Sequence, residues 1–429
     1  MSGLILAAPS SGAGKTTITL GLLRALNDAG HPTRSAKSGP DYIDPQFHAA
    51  ASGRPCMNLD AWAMTPDRIR HLANGPDDLV IEGAMGLFDG APPHGKGATA
   101  DLAKLLDFPV VLIIDAKAMS HSIAALLRGF ASHDPDVGIA GVILNRVGSP
   151  RHTAMLTAAI APLNIPVLGA IPRDDTLSRP SRHLGLVQAG EMPDLDAFLS
   201  HAAATMARHI DLAKLRSLMS PVRGAGPVTT GGRGAGPLTI ALARDAAFSF
   251  TYPHLLADWT AIGATILPFS PLANDPVPQA DRIYLPGGYP ELYAAQLSAN
   301  QTFMQSLKNA AQHVDIYGEC GGYMTLGETL VDANGTTHKM AGLLGLSTSF
   351  ANRKLHLGYR TLQQIAPHPL TTAAHHTCFT AHEFHYATTL NADGTPLFTA
   401  TDAEGADLPP MGLIEGRVAG SFAHIIDAI

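Results

Sequence analysis

The segment that most restricts the fold is N-terminal. An apolar run, Leu4-Ile5-Leu6-Ala7-Ala8, enters APSSGAGKTT, and a helical pattern follows over Thr16–Ala29, closed by Gly30. A strand that passes through a glycine loop into a helix begins a parallel α/β sheet, because the helix must cross back before the next strand. Further candidate strands lie at Thr33–Lys37, Leu79–Glu82, Val110–Asp115, Ala140–Leu144 and Val167–Ile171. Several are apolar throughout, as expected for strands covered on both faces.

The alternation breaks once, at SLMSPVRGAGPVTTGGRGAGPL over 217–238, where GAGP occurs twice and no apolar period survives. It restarts with LTIALARD. The expected architecture is therefore α/β in two domains: a P-loop doubly wound parallel sheet over 1–216, a Gly/Pro-rich linker over 217–238, and a second α/β domain over 239–429. A length of 429 residues agrees with two cores. Alternation is expected to continue to the C-terminus.

The net charge of −7 argues against a nucleic-acid binder, whose phosphate contacts need a basic face. No stretch has the roughly 18 apolar residues of a membrane helix, and the N-terminus lacks the basic region of a signal peptide. Three cysteines make no disulfide framework and fit a reducing compartment, so the expected location is cytoplasmic.

In the N-terminal loop, Ser11, Gly12, Ala13, Gly14, Lys15, Thr16 and Thr17 stand where backbone N–H groups and a lysine cradle phosphates. The Thr16 hydroxyl is positioned for magnesium. Pro9 replaces the usual first glycine. Carboxylates follow at or after strand ends, where such sheets bind ligands: Asp41 and Asp44 after the strand carrying Lys37, Glu82 closing its own strand, and Asp89 in EGAMGLFDG. Single aspartates in such loops also serve as turn formers. As a cluster behind one P-loop they read as a site for magnesium (Thr16, Asp41, Glu82) and phosphoryl transfer.

The second domain holds a more specific pattern. Strand-like Val314–Tyr317 enters Gly318-Glu319-Cys320-Gly321-Gly322, and a helix follows. This is a nucleophile elbow with cysteine as the nucleophile, and the helix N-terminus is expected to lower the thiol pKa. The Gly321 N–H suits an oxyanion donor, and a second glycine pair occurs upstream in LPGGYPE. Cys56 and Cys378 read as packing residues. Twenty histidines leave the base open by composition. His424 ends an apolar stretch, while His382 and His385 in AHEFHY are rivals. HEFH lacks the helical i, i+4 zinc spacing, and structural or substrate contact is the expected role of the pair.

The segments KSGPDYIDPQFH, VIEGAMGLFDG, TADLAKLLDFPVVLIID, GVILNRV, SRHLGLVQAGE, ARDAAFSFTYP, LPGGYPEL, ECGGYM, LGYR, HEFHY and GSFAHI, in order with the phosphate loop, span both halves. On them the chain resembles the cobyrinic acid a,c-diamide synthase family of cobalamin biosynthesis, which includes the hydrogenobyrinic acid enzymes. Its first half is similar to dethiobiotin synthetase and its second to a class I, flavodoxin-like glutamine amidotransferase. The resemblance implies Cys320 as glutaminase nucleophile, His424 as its base, and Gly288 and Gly321 as oxyanion donors. It implies Lys37, Asp41, Asp44, Glu82 and Asp89 in a synthetase site, with Asn145 and Pro172 at the adenine. One departure stands out: the glutamate usual two residues after the histidine is Ile426 here.

The function so implied is ATP- and glutamine-dependent amidation of the a and c acetate carboxylates of cobyrinic or hydrogenobyrinic acid through an acyl phosphate. ATP and Mg²⁺ are the expected cofactors. Glutamine and a polycarboxylate corrinoid are the expected partners, a homodimer is a possible assembly, and neither nucleic acid nor membrane is expected. Arg179, Arg182 and His183, with His382 and His385, are candidate contacts to the macrocycle carboxylates. The alternatives are a cobyric acid or nickel-sirohydrochlorin type amidase, or an ATPase with a non-catalytic second half.

Overall fold

The computed structural model describes residues 2–177, 188–222, 238–366 and 377–429. The chain forms two compact units, Met1–Val228 and Thr229–Ile429.

In the first unit, β1 (Ser2–Ala7), β2 (Thr33–Ser38), β3 (Met57–Leu59), β4 (Asp78–Glu82), β5 (Val110–Asp115), β6 (Ile139–Val147) and β7 (Val167–Pro172) lie in the order β3-β2-β4-β1-β5-β6-β7. All seven run parallel. Leu4, Ile5, Leu6, Val80 and Ile81 have no exposed surface, as central strands covered by helices require. Helix α1 (Lys15–Asp28) leaves the loop after β1, α2 (Asp44–Ser52) follows β2, and α3 (Leu195–His209) packs on α1. That approach is close: a Cβ on Gly21 would lie 2.6 Å from Met206 and 2.8 Å from the Ala202 carbonyl. Residues assigned to the linker by composition belong partly to this unit. Ser217 ends a short helix, and Ser220–Pro221 pair antiparallel with Gly3 and Ser2 at the start of β1.

The second unit opens with β8 (Thr239–Ala243), β9 (Thr265–Phe269), β10 (Arg282–Leu285) and β11 (Asp315–Glu319). With β14 (Val418–Ser421) they form a parallel sheet in the order β9-β8-β10-β11-β14. Counting these five in chain order gives 2-1-3-4-5, the flavodoxin arrangement. The strand-helix alternation then stops. After α4 (Gly321–Leu326), the described residues contain only strands. Asp407–Glu415, Thr395–Thr401, β12 (His356–Gln364), β13 (Cys378–His385) and β15 (Ala423–Ala428) extend the sheet antiparallel from β14. This extension carries the C-terminal histidine back to the elbow.

Candidate functional site

In the first unit the functional side chains gather at the carboxyl ends of β1, β2, β4, β5 and β6. Parallel register sets Leu6 beside Glu82, Lys37 beside Glu82, and Asp115 beside Asn145. Lys37 Nζ lies 2.8 Å from both Glu82 Oε1 and Asp44 Oδ2. Thr16 Oγ1 donates to Glu82 Oε1 at 2.6 Å and lies 3.3 Å from Asp44 Oδ2. His48 Nε2 meets Glu82 Oε2 at 2.6 Å, and its Nδ1 lies 3.5 Å from Cys56 Sγ.

Glu82 and His48 are fully buried, yet the cluster is charge-paired. Burial alone would raise the Glu82 pKa, but the Lys37 ammonium and then His48 overcome it and hold the carboxyl at about 2. Burial opposes the Lys37 charge, yet Glu82, Asp44 and Asp41 raise its pKa above the ordinary lysine value. Against its own burial, contacts with Cys56 and Glu82 push His48 up to about 10.

Thr16 Oγ1, Glu82 Oε1 and Asp44 Oδ2 form the hard-oxygen set that suits magnesium. Asp44, rather than the expected Asp41, stands at the threonine. Asp41 Oδ1 instead accepts the N–H groups of Ile43 and Asp44 at 2.8 and 3.1 Å, shaping the entry to α2. Asp89 similarly accepts the Gly86 N–H at 2.9 Å. Lys15 Nζ donates to the carbonyls of Met85 and Ser10, bent over the loop it is expected to serve.

Beside the loop lies a cleft of about 260 Å³ lined by Gly14, Thr17, Asn145, Arg146, Pro172 and Arg173, among others. Asn145 Nδ2 donates to the Ala13 carbonyl at 2.8 Å, and a Cβ on Gly14 would lie 2.3 Å from that nitrogen. Arg146 Nη1 reaches the Gly12 carbonyl at 3.0 Å and Asp115 Oδ2 at 2.6 Å. The loop of 11–17 and the residues expected at the adenine thus share one cleft.

In the second unit β11 ends at Glu319 and the chain turns sharply. Cys320 has φ 46°, ψ −100°, a strained conformation for a residue with a side chain, and caps α4. The turn is possible because its neighbours are backbone: a Cβ on Gly322 would lie 2.0 Å from the Leu285 carbonyl, and one on Gly288 1.9 Å from that of Ala247. A Cβ on Gly321 would meet the Gly288 nitrogen at 3.0 Å, so the two glycines expected to supply oxyanion donors are adjacent.

The thiol does not have the depressed pKa expected from a helix N-terminus. Burial pushes it up and Glu291 adds to that; the Gly321 N–H acts the other way, and Glu319 and Glu383 reinforce the rise. A short helix cannot offset this desolvation.

His424 is completely buried. β14 pairs with β11 so that Ser421 stands beside Glu319, and the chain returns as β15 with His424 close to the elbow. Its ring packs over Gly287, where an added Cβ would lie 2.3 Å from Cε1. Burial, then the charges of His382 and His385, hold His424 down at about 3, a neutral imidazole at physiological pH. Its Nδ1 lies 3.7 Å from Glu319 Oε2.

β13 runs alongside β15 with His382 opposite His424. His385 stacks on Phe422 at 3.9 Å and on His356 at 4.6 Å. His356, Glu383 and His385 offer ligand atoms within 4.8 Å of one another. Arg360 donates to Glu383 Oε2 at 2.7 and 3.0 Å, and His385 engages Oε1 at 2.9 Å, so this carboxylate is already neutralised by protein groups. Cys56 is buried as expected, but Cys378 is only partly buried, with its thiol donating to Gln363. Arg179, Arg182 and His183 lie outside the described residues.

His48, Arg146 and Glu319 are among the groups in these clusters that the sequence motifs do not single out. His48 follows Asp44 by one helical turn inside DPQFH, a spacing that could have revealed it. Glu319 was visible only as a letter in the elbow.

Comparison with known proteins gives these sites a setting. Residues 4–187 match the CobQ/CobB/MinD/ParA nucleotide binding domain, and residues 239–428 the CobB/CobQ-like glutamine amidotransferase domain. The chain is 54% identical to a protein from Brucella anthropi named hydrogenobyrinate a,c-diamide synthase, over 100% of this chain and 99% of that one. Proteins of the same name from Rhodobacter capsulatus and Rhizobium meliloti are each 51% identical, over 99% and 100% of this chain and 98% and 99% of theirs. With both motif sets in place over a full-length match, the chain belongs to the hydrogenobyrinate a,c-diamide synthase family.

Proposed function

We propose that this chain is an ATP- and glutamine-dependent ligase that converts the a and c acetate carboxylates of hydrogenobyrinic acid, the metal-free macrocycle, to amides. The carrying observation is the coexistence, in one full-length relative of these synthases, of a cysteine elbow backed by a buried neutral histidine and a P-loop backed by Lys37, Glu82 and Asp44.

In the second unit, Cys320 gives its proton to His424 and its sulfur attacks the glutamine amide carbon. The oxyanion is met by the N–H groups of Gly321 and Gly288. His424 passes that proton to the departing nitrogen, ammonia leaves, and the neutral ring then activates the water that releases glutamate from the thioester. In the first unit the 11–17 loop and Lys15 hold the ATP phosphates, and Asn145 and Pro172 border the base. Thr16, Glu82 and Asp44 would hold Mg²⁺, which when bound neutralises phosphate charge. A substrate carboxylate takes the γ-phosphoryl group, and ammonia displaces phosphate from the acyl phosphate, at the c and a acetates in turn by the resemblance. Lys37 holds Glu82 ionised. No described helix is long and apolar enough to cross a membrane; ATP and glutamine are cytoplasmic supplies, which supports that location.

Turnover with hydrogenobyrinic acid and with cobalt-containing cobyrinic acid, followed by mass spectrometry, tests this reading. A diamide from the metal-free macrocycle is expected, at higher kcat/KM. Amidation at other side chains, or faster turnover of the cobalt form, overturns it. Asp44→Asn and Asp89→Asn add resolution: accumulation of a monoamide would place either residue against the macrocycle.

A further inference from the structure

We propose that Glu319, the residue directly before the nucleophile, is the acid that positions His424 and stabilises its protonated form. This rests on the glutaminase role given to Cys320 and His424 above.

The position that usually supplies such an acid, two residues after the histidine, is taken by Ile426, whose side chain is fully buried and whose carbonyl accepts from His254 Nε2 at 2.8 Å. Glu319 approaches from the other strand. It is 2% exposed. Its Oε2 accepts from the Tyr284 hydroxyl at 2.7 Å and faces His424 Nδ1 at 3.7 Å, and its Oε1 accepts the Ile425 N–H at 3.1 Å. Two donors therefore clamp the carboxyl, one of them from the residue after the histidine, so acid and ring are tied to the same stretch of β15. The ring also packs against Gly287, where an added Cβ would lie 2.3 Å from Cε1.

Three ionisable groups of β13 also act on His424: His382, His385 and Glu383. Glu383 is committed to Arg360 and His385 through both oxygens. The two histidines disfavour a positive charge on His424. Glu319, tied to the same stretch of β15, is placed to favour it.

Protonation state decides which way the pair works. An ionised Glu319 at 3.7 Å favours the proton on Nδ1, leaving the Nε2 lone pair to take the thiol proton as the S–H bond breaks and the sulfur–carbon bond forms. A protonated Glu319 would donate to Nδ1 and place the ring proton on Nε2, where no thiol proton can be accepted. Burial pushes the Glu319 carboxyl up to about 8, against the Tyr284 and Ile425 donors. Glutaminase activity is therefore expected to rise with pH through a limb near 8.

The test uses the full-length protein, measuring glutamate release from glutamine at pH 6–9.5 and, separately, amidation of hydrogenobyrinic acid with ammonium chloride. Glu319→Gln should lower the glutaminase kcat about 10²- to 10⁴-fold, leave KM for glutamine within about threefold, and erase the limb. Amidation from ammonia, which bypasses this centre, reports that the protein is folded. Tyr284→Phe removes a donor to the ionised carboxyl, so its limb should move to higher pH; Glu319→Asp should recover part of the lost kcat. A Glu319→Gln enzyme with wild-type kcat, or a limb unmoved in both Glu319→Gln and Tyr284→Phe, overturns the proposal. Wild-type protein that releases no glutamate would instead refute the glutaminase reading itself.

Discussion

The two clusters in this chain are both buried, and they handle charge in opposite ways. In the first unit, Lys37, Glu82 and His48 are kept ionised by one another, with Glu82 held at about 2. In the second, Cys320 and His424 are kept neutral by burial, the thiol raised and the imidazole lowered to about 3. The substrates explain the difference. Phosphoryl transfer moves several negative charges, so its site must hold compensating charges before the substrate arrives. A glutamine amide is neutral, and its attack requires a thiol and a base that exchange one proton only when the substrate is in place. Desolvation is held in check by ion pairs in one cluster and used to withhold charge in the other.

The sharpest way to break this comparison is to remove each centre's defining atom. Cys320→Ala should reduce glutamine-dependent amidation by about 10⁴-fold or more and leave ammonia-dependent amidation near wild type. Equal loss with both nitrogen donors would mean that the centres are not chemically separate. Lys15→Ala should lower both activities alike, by about 10³-fold, since it disables the phosphate loop that both reactions need. Ammonia-dependent turnover at the wild-type rate in this variant would remove the loop from the chemistry.

A smaller effect is expected at Gly288→Ala. The added Cβ would sit 1.9 Å from the Ala247 carbonyl, so the local backbone must shift and carry the Gly288 N–H away from the oxyanion. Glutaminase kcat should fall about 10²-fold. An unchanged kcat would show that this N–H is not a donor.

The smallest effect separates the clusters by sign. Glu82 has a depressed folded pKa, so its contribution to stability is present above the ordinary carboxylate pKa of about 4.5 and is lost as pH falls towards 2. Glu319 has a raised one, so its contribution is present below about 4.5 and is lost as pH rises through about 8. Unfolding free energies of wild type relative to Glu82→Gln and Glu319→Gln should therefore slope oppositely with pH, with differences on the order of 1–3 kcal/mol. Slopes of the same sign would show that the two carboxylates share one electrostatic regime.

Much of the first unit could be read from the sequence because its central strands, such as Leu4–Ala7 and Val110–Ile114, are continuous apolar runs between glycine and aspartate signals. The strand it concealed, β3, has three residues, and its centre is Asn58, whose side chain donates to the carbonyls of Gly39 and Asp41. No period can emerge from so short a segment. The second unit is plain up to the elbow and obscure beyond it. Strands such as HLGYRTLQQ and TTLNAD are half-exposed and polar, so they carry too little hydrophobic contrast to distinguish a strand from a surface helix. The candidate sites followed the same rule. Glu82 could be grouped with Thr16 because a P-loop sheet brings its strand ends together, whereas Asp41 was expected where Asp44 stands. The approach of Glu319 to His424 depends on the pairing of Glu319 with Ser421 across about a hundred residues, and no local pattern records such a register.

The elbow's glycines carry a consequence for how this enzyme can change. At Gly288 and Gly322, main chain lies directly on main chain, and at Gly318 an added Cβ would lie 2.7 Å from the Gly322 carbonyl carbon. A side chain facing a misfit can hop to another rotamer; two backbones in contact have no such reserve. Random mutation should therefore find its least tolerant positions where no side chain exists, and variation in donor chemistry must enter through the groups around this corner while the corner itself stays fixed.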